Sequence, residues 1–150
     1  IMENDNILWL IKQLNISLDQ YGKEDMKSAD ITRSQSFFLS HLLSKNSRSL
    51  YATSLHVESG ISKAAISSTL KALKQNGYII MEADPKDDRK KQIILTEKAY
   101  EEERQIQAHL DRQQACLCEG ISQHDLRILK NSLNKMISNL KSEYARRNVL

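Results

Sequence analysis

The sequence predicts a mainly α-helical fold with a small antiparallel β-sheet. Helix-breaking residues are scarce, since the 150 residues include one proline and four glycines, and segments with apolar residues three and four apart fill most of the chain. Apolar runs at 78–81 and 93–95 flank a charged segment at 84–91, which is the pattern of a β-hairpin. A short helix, a turn at Gly60, a second helix and this hairpin follow one another. That order predicts a winged helix-turn-helix.

Composition and charge point to a globular chain that meets phosphates with one of its faces. The chain is 40% hydrophobic and 27% charged, as in ordinary soluble domains. No apolar run reaches the roughly 18 to 20 residues that cross a bilayer, and no signal-peptide pattern opens the sequence, so we expect a cytoplasmic protein without a membrane partner. Residues 1–30 carry three basic and six acidic side chains, whereas residues 62–91 carry seven and four. Positive charge thus gathers on the helix that follows Gly60 and on the hairpin.

Both ends of the chain predict helices with more apolar surface than one small domain can bury. The first, about 6–21, and the last, opened by a variant capping box at Ser122 and Asp125, carry apolar residues three and four apart. Such stripes are usually core, but here little remains to pack against, so we expect the two ends to meet a second copy of the chain. The stripes are Ile7, Ile11, Leu14, Leu18 and Tyr21, and Leu126, Leu129, Leu133, Met136, Ile137, Leu140 and Tyr144.

The remaining elements complete a division into two regions. Thr32 and Gln35 form a capping box that opens the second helix, and Thr96 is predicted to cap a long helix that runs to about Cys118. A third helix, about 52–59, is short. We therefore expect one continuous domain made of two regions. They are a helical dimerisation region, 1–30 and 97–150, and a winged helix-turn-helix region, 31–96.

The fourth helix shows the pattern of a groove reader. Ser62 is its predicted N-cap, and Ile66, Leu70 and Leu73 share one side of the helical wheel. Short side chains on the other side would let the backbone approach base edges, where serine can donate or accept and alanine can meet a thymine methyl group. The residues on that side are Ala64, Ser67, Ser68, Lys71 and Gln75.

The wing motif carries a resemblance to a known family. Asp87-Asp88-Arg89, then five residues, then Leu95-Thr96 resemble the MarR family of bacterial winged-helix transcription regulators. The resemblance implies a homodimer whose fourth helices enter the major groove of a near-palindromic site in double-stranded DNA. It also implies that Arg89 reaches the minor groove while Asp87 orients it. The predicted DNA-binding residues are Ser62, Lys63, Ala64, Ser67, Ser68, Lys71, Lys86, Asp87, Arg89 and Lys90.

The resemblance further implies a small aromatic or lipophilic effector, bound between the dimer arm and the winged module, that alters DNA affinity. Trp9 and Tyr21 on the first helix and Phe37 and Phe38 on the second are candidates to line such a pocket. The same residues are also what a hydrophobic core would contain, and the sequence leaves both interpretations open.

Departures from the family pattern argue against a threonine cap on the third helix, peroxide sensing and metal binding in this chain. Tyr51 stands where the family commonly has threonine capping the third helix. The first helix lacks the cysteine by which some members sense peroxide, and Cys116 and Cys118 lie two apart on a helix, where they face different directions. The four histidines, His41, His56, His109 and His124, show no ligand spacing. We therefore expect no metal and no cofactor.

We expect a sequence-specific regulator of transcription, a repressor, and weigh it against two alternatives. A winged helix that only binds proteins would need an apolar outer face on the fourth helix, which the alanine, serine and lysine residues there argue against. An enzyme would need a catalytic motif, and no glycine-rich phosphate loop, Gly-x-Ser-x-Gly, His-Glu-x-x-His or Cys-x-x-Cys occurs. The acidic pair at 87–88 has no shielded pocket for acid–base work.

Overall fold

Six helices and three short strands make up the described part of the chain, residues 5–26, 30–45 and 50–148 of the computed structural model. The chain forms two compact units, residues 1–113 and 114–150. No helix within the described residues is long and apolar enough to span a membrane. In chain order the elements are α1 (Ile7–Asp25), α2 (Arg33–Ser44), β1 (Leu50–Tyr51), α3 (Ala52–Ser59), α4 (Lys63–Gln75), β2 (Ile79–Ala83), β3 (Lys91–Leu95), α5 (Glu97–Cys118) and α6 (Gln123–Arg147).

The predicted hairpin is confirmed as one side of a three-stranded sheet. The strand order is β1-β3-β2, and both pairings are antiparallel. In the hairpin Ile79 lies opposite Leu95 and Ala83 opposite Lys91. Sequence analysis missed β1, since two residues are too short to show a period. Its partner Gln92 in β3, opposite Tyr51, is distant in sequence.

The hydrophobic core lies where α2, α3 and α4 pack with the sheet and the first half of α5. Ile66, Leu70 and Leu73 are buried, as the helical wheel predicts, so the opposite side of α4 is left for other contacts. Ala99 and Ile106 bring α5 into the same core. The other buried apolar members are Ile31, Phe38, Leu39, Leu42, Leu50, Leu55, Tyr78, Ile79 and Ile93.

Side-chain caps fix where the helices begin. Thr32 and Gln35 form the predicted capping box at the start of α2. Ser62 accepts a hydrogen bond from the N–H of Ala65 at 3.2 Å, and Ser122 does the same for α6. These contacts satisfy N–H groups that the first helical turn leaves unpaired.

The hydroxyl of Thr96, predicted to cap α5, binds a backbone carbonyl at the base of the hairpin instead. It donates to the carbonyl of Gly77 at 2.6 Å, and the carbonyl of Thr96 accepts from the N–H of Ala99. Gly77 precedes β2 and has a φ of +80°. Because the strands at 79 and 95 are paired, these two residues meet at the base of the hairpin, where the hydroxyl finds this acceptor.

Gly22 lies within α1 and does not end it, although glycine is usually found at helix ends. The helix continues to Asp25 and Gly22 is buried within it. A Cβ atom at this position would lie 3.0 Å from Cβ of Arg33, so the glycine permits the close approach of α2. Arg33 in turn donates from Nε to Asp19 of α1 at 2.9 Å.

A polar cluster joins α1 to α5. His109, with 2% of its surface exposed, places Nδ1 against the carboxylate of Asp25, which also accepts from Arg112 at 3.0 Å. Gln113 donates to the carbonyl of Leu18 at 3.2 Å. The hydrogen bonds from His109 and Arg112 hold the pKa of Asp25 below its ordinary value.

The predicted apolar stripes of the two ends are solvent-exposed. On α1, Ile7, Ile11 and Leu14 each expose about half of their surface. Helix α6 has no buried residue, although its stripe is apolar throughout. The most exposed large apolar residues of α6 are Ile128, Leu129, Ile137, Leu140 and Tyr144, of which all but Ile128 belong to the stripe.

Replacing Asp25 with asparagine is expected to lower the free energy of unfolding at pH 7 and to weaken its dependence on acid. A carboxyl group whose pKa is depressed in the folded state stabilises the fold above its ordinary pKa of 3.8. That contribution is lost as the pH falls through the folded value. Urea unfolding at pH 7 and pH 3 measures the effect, with the exposed Asp5→Asn as matched control. Equal acid sensitivity in the parent and Asp25→Asn would contradict this assignment.

Candidate nucleic-acid interface

Helix α4 presents a polar face to solvent. Its N-cap Ser62 and the side chains of Lys63, Ala64, Ser67, Ser68 and Lys71 are all exposed, while the opposite side is buried in the core. The structure therefore places every predicted reader of α4 on one accessible surface.

The turn between α3 and α4 is held by local hydrogen bonds. Gly60 ends α3 with a φ of +71°, a conformation that side chains with a Cβ rarely adopt. Nδ1 of His56 lies 2.5 Å from the carbonyl oxygen of Ile61, and the Ser59 hydroxyl accepts from the N–H of Ile61 at 3.1 Å. These contacts set the direction in which α4 leaves α3.

A groove of about 530 Å³ runs between α4, the start of α3 and the sheet. Apolar side chains such as Ile66 and Met81 form part of its lining. Four lysines also line it, and we call them the lysine groove: Lys63, Lys71, Lys74 and Lys91.

Two members of the lysine groove were missed by sequence analysis. Lys74 follows Lys63 and Lys71 at helical spacings of eleven and three, so the helical wheel contains the signal for it. Lys91 lies on β3, and only the packing of the sheet against α4 brings it near. Thr53 of α3 lines the same groove and was also missed.

The lysine groove lacks internal neutralisation. Within the described ranges, none of its four lysines has a carboxylate oxygen within 4 Å, whereas Lys45 pairs with Glu58 and Lys98 with Asp30 at 2.5 and 2.7 Å. Unpaired ammonium groups around one groove repel each other and attract an anion. The surface is therefore suited to a phosphate backbone.

Two successive turns build the tip of the hairpin, the wing. The carbonyl of Asp84 accepts from the N–H of Asp87 at 3.3 Å, and that of Asp87 accepts from the N–H of Lys90 at 2.9 Å. Each aspartate also binds a backbone N–H two residues on, Lys86 at 2.6 Å and Arg89 at 3.0 Å. The wing thus has a defined backbone shape.

Arg89 projects from the second of these turns. Its side chain is 94% exposed, and its Nε lies 3.5 Å from Asp87 Oδ1, the pairing that the resemblance implies. Lys86 and Lys90 are exposed on the same tip. All four predicted wing residues are therefore accessible or, for Asp87, placed to orient the arginine.

Tyr51, which stands where the resemblance implies a capping threonine, makes no side-chain cap to α3. Its hydroxyl instead donates to Oδ2 of Asp84 at the base of the wing. That bond is the largest cause that lowers the pKa of Asp84, and the backbone N–H of Lys86 lowers it further.

Two of the four aromatic residues proposed for an effector pocket lie together at one cavity of the described residues. Phe37 and Phe38 line a cavity of about 290 Å³ with His41 and Thr69, and Trp9 does not line it. Only Phe38 belongs to the core. Tyr21, also outside this cavity, lies twelve residues from Trp9 along α1, roughly 18 Å at 1.5 Å per residue.

Within the described part of the chain, no group of three His, Cys, Asp or Glu side chains lies close enough to hold a metal ion. Cys116 is exposed and Cys118 partly buried, and both are free thiols.

Comparison with protein families decides the identity of the chain. The model of the transcriptional regulators SarA/Rot matches residues 20–106, a span that includes α2, the helix-turn-helix and the wing. This chain belongs to the SarA/Rot family of transcriptional regulators. Its members are regulators, so the enzyme alternative is excluded. No curated protein is similar enough in sequence to match this SarA/Rot regulator.

Solved structures with the same fold confirm the winged helix and the resemblance to MarR regulators. Staphylococcus aureus MepR, solved with DNA, has a TM-score of 0.83 at 21% identity, over 89% of this chain and 98% of that chain. A putative MarR family regulator of Listeria monocytogenes, solved with a 26mer DNA, has a TM-score of 0.81 at 20% identity, over 98% and 97%. A MarR protein of Peptoclostridium difficile reaches 0.85 at 19% identity, over 98% and 95%.

Proposed function

We propose that this SarA/Rot regulator binds double-stranded DNA as a homodimer and represses transcription from near-palindromic operators. The observation that carries the proposal is the lysine groove, whose four lysines beside the exposed face of α4 have no carboxylate partner among the described residues. A winged helix that only binds proteins would instead present an apolar outer face on α4, and the exposed residues there are serine, alanine and lysine. Two relatives in fold were solved with DNA, which supports the same use of the surface here.

Within this proposal, the residues of the surface divide by role. Ser67, Ser68 and Ala64 on α4 read base edges in the major groove, because their short side chains let the helix backbone come close. The lysines beside them neutralise phosphates and set the register without reading sequence. Arg89 enters the minor groove next to the half-site, where a planar guanidinium fits the negative potential.

The exposed apolar stripes of α1 and α6 support the homodimer. Ile7 and Leu14 on α1, and Leu133 and Leu140 on α6, are between 41% and 73% exposed. Stripes of this extent are unusual on the surface of a soluble monomer. A second copy of the chain would cover them, and its two winged modules would meet two half-sites.

A cavity within the winged module is a candidate effector site. Phe37 and Phe38 line it, and Ala65 and Thr69 of α4 form another of its walls. A small aromatic molecule bound there would press on the helix that reads DNA. We propose this location in place of one shared with Trp9 and Tyr21. Titration of DNA-bound protein with aromatic acids, against a Phe37→Ala variant, tests it.

The proposal predicts that the chain shifts double-stranded DNA from the region upstream of its own gene. A scrambled duplex of equal length should bind more weakly by a factor of about 10³ or more. Fluorescence anisotropy at fixed salt measures both affinities. Equal affinity for the two duplexes would contradict sequence-specific regulation, and binding to neither would contradict DNA binding.

Arg89→Ala is expected to weaken operator binding by roughly 1.5–3 kcal/mol, the range for hydrogen bonds to charged groups, and Arg89→Lys should restore only part of the loss. The ammonium of lysine lacks the planar shape that fits a narrow groove. The melting temperature should barely change, because the side chain is 94% exposed. Asp88→Ala, on the same turn, serves as control. Parent-like binding by Arg89→Ala would remove the wing from the interface.

Ser68→Ala and Lys90→Ala should differ in kind. Loss of a base reader costs about 1–3 kcal/mol on the operator and relaxes preference at one base position. Loss of a phosphate contact weakens all sequences alike and flattens the slope of log affinity against log salt by about 1. Titrations of operator and scrambled duplex at several salt concentrations separate the two effects. The division of roles fails if both variants show the same salt slope and the same specificity ratio.

Leu133→Lys is expected to shift the protein towards monomer and to reduce DNA binding. A charge in the apolar stripe of α6 would have to be desolvated in the dimer. Sedimentation equilibrium at micromolar concentration measures the mass, with Val57→Lys, an exposed apolar residue of α3, as matched control. A folded parent monomer of 17.2 kDa would rule the homodimer out.

A further inference from the structure

Tyr51 and Asp84 connect two parts of the winged module that lie apart in sequence. Tyr51 is the last residue of β1 and the residue from which α3 begins, while Asp84 directly follows β2. Strand β3 lies between β1 and β2 in the sheet. The Tyr51 side chain therefore crosses over β3 to place its hydroxyl on Oδ2 of Asp84.

Asp84 is the residue from which the wing is built. It is 9% exposed, and its Oδ1 accepts the N–H of Lys86 at 2.6 Å. Its own N–H donates to the carbonyl of Lys90 at 2.9 Å, and its carbonyl receives the N–H of Asp87. One carboxylate therefore receives the Tyr51 hydroxyl on one oxygen and a turn amide on the other.

We propose that the Tyr51–Asp84 hydrogen bond is a clamp that positions the wing arginine relative to the reading helix. The clamp fixes the base of the first turn. In the second turn Asp87 Oδ1 accepts the backbone N–H of Arg89 at 3.0 Å, so the position of Arg89 depends on that of the first turn. Because Tyr51 begins α3, which packs on α4, the wing is tied to the helix-turn-helix itself. This role rests on the proposed function.

The chemistry of the two positions supports a clamp. At the start of a helix, serine, threonine or aspartate would cap the backbone, and Tyr51 makes no such cap. A side chain as long as tyrosine is needed to cross a neighbouring strand, about 4.8 Å away. Arg89 is almost fully exposed and contacts Asp87 at 3.5 Å, so the backbone of the wing and this one contact supply the order of its side chain. If the wing is already held in place, less of its conformational entropy is lost when the protein binds DNA.

A first experiment tests the clamp without DNA. Tyr51→Phe removes one hydroxyl and keeps the ring. Hydrogen exchange of the amides of Lys86, Arg89 and Lys90 should accelerate about threefold to tenfold, the factor for loss of one hydrogen bond. Tyr100→Phe removes a hydroxyl from an exposed tyrosine of α5, remote from the wing turns, and should leave these amides unchanged. Unchanged exchange in Tyr51→Phe would overturn the clamp, whether or not the chain binds DNA.

A second experiment tests whether the clamp acts through the arginine. Operator affinity is measured for the parent, Tyr51→Phe, Arg89→Ala and the double variant. Tyr51→Phe alone should weaken binding about threefold to tenfold and should cost little more when Arg89 is already alanine. With Ser68→Ala, the two losses should multiply. A purely structural role for Tyr51 would give multiplication in both pairs and would overturn the positioning role.

Variants of the acceptor complete the test. In Asp84→Asn the side-chain oxygen can accept the N–H of Lys86 while the amide donates to the Tyr51 hydroxyl oxygen, so this variant should lose less affinity than Tyr51→Phe. Asp84→Ala removes both the clamp and the turn and should lose more. Should the parent fail to bind operator, the proposed function is wrong, and the exchange experiment alone decides whether Tyr51 holds the wing. The reverse order of losses among the three variants would contradict the clamp.

Discussion

The arrangement of the winged module depends on one polar junction around the buried Tyr78. Tyr78, fully buried at the start of the hairpin, places its hydroxyl 2.5 Å from Asp30 and 2.8 Å from Glu102 of α5. Lys98 donates to Asp30 and to the carbonyl of Asn76, each at 2.7 Å. The junction therefore ties together the segment before α2, the end of α4, the first strand of the hairpin and α5.

The polar groups of this junction are hydrogen-bonded to one another, in contrast to the lysines of the surface that it supports. Burial, with the neighbouring carboxylates, raises the pKa of Tyr78 far above its ordinary value, so the phenol stays neutral. The hydrogen bonds and charge of Lys98 help to hold the pKa of Asp30 below its ordinary value despite the desolvation of that carboxyl. Hydrogen-bonded groups hold the end of α4 in place. The lysines of the groove, three on α4 and one on β3, have no carboxylate partner among the described residues. Stability and charge are thus concentrated in different parts of α4 and its surroundings.

Local signals in the sequence predicted most of the winged module. Thr32 with Gln35, Ser62 and Gly60 fix helix starts and ends through contacts within a few residues, so their effect can be read without tertiary structure. The buried side of α4 followed from a period of 3.6 residues. The Asp-x-Arg spacing of the wing then carried the resemblance to winged-helix regulators. The SarA/Rot model, which matches residues 20–106 and so includes the wing, confirms a regulator of this kind.

What the sequence by itself determined about this protein is therefore local: its helices, its hairpin and the polar face of α4. Tertiary structure alone decided the rest, because those contacts join residues far apart in the chain. It brought Lys91 of β3 to the lysine groove, gave the Tyr51 hydroxyl to Asp84, and left Trp9 outside the cavity that Phe37 lines. No periodic pattern encodes which distant backbone or side chain will lie within reach of a hydroxyl or an ammonium group.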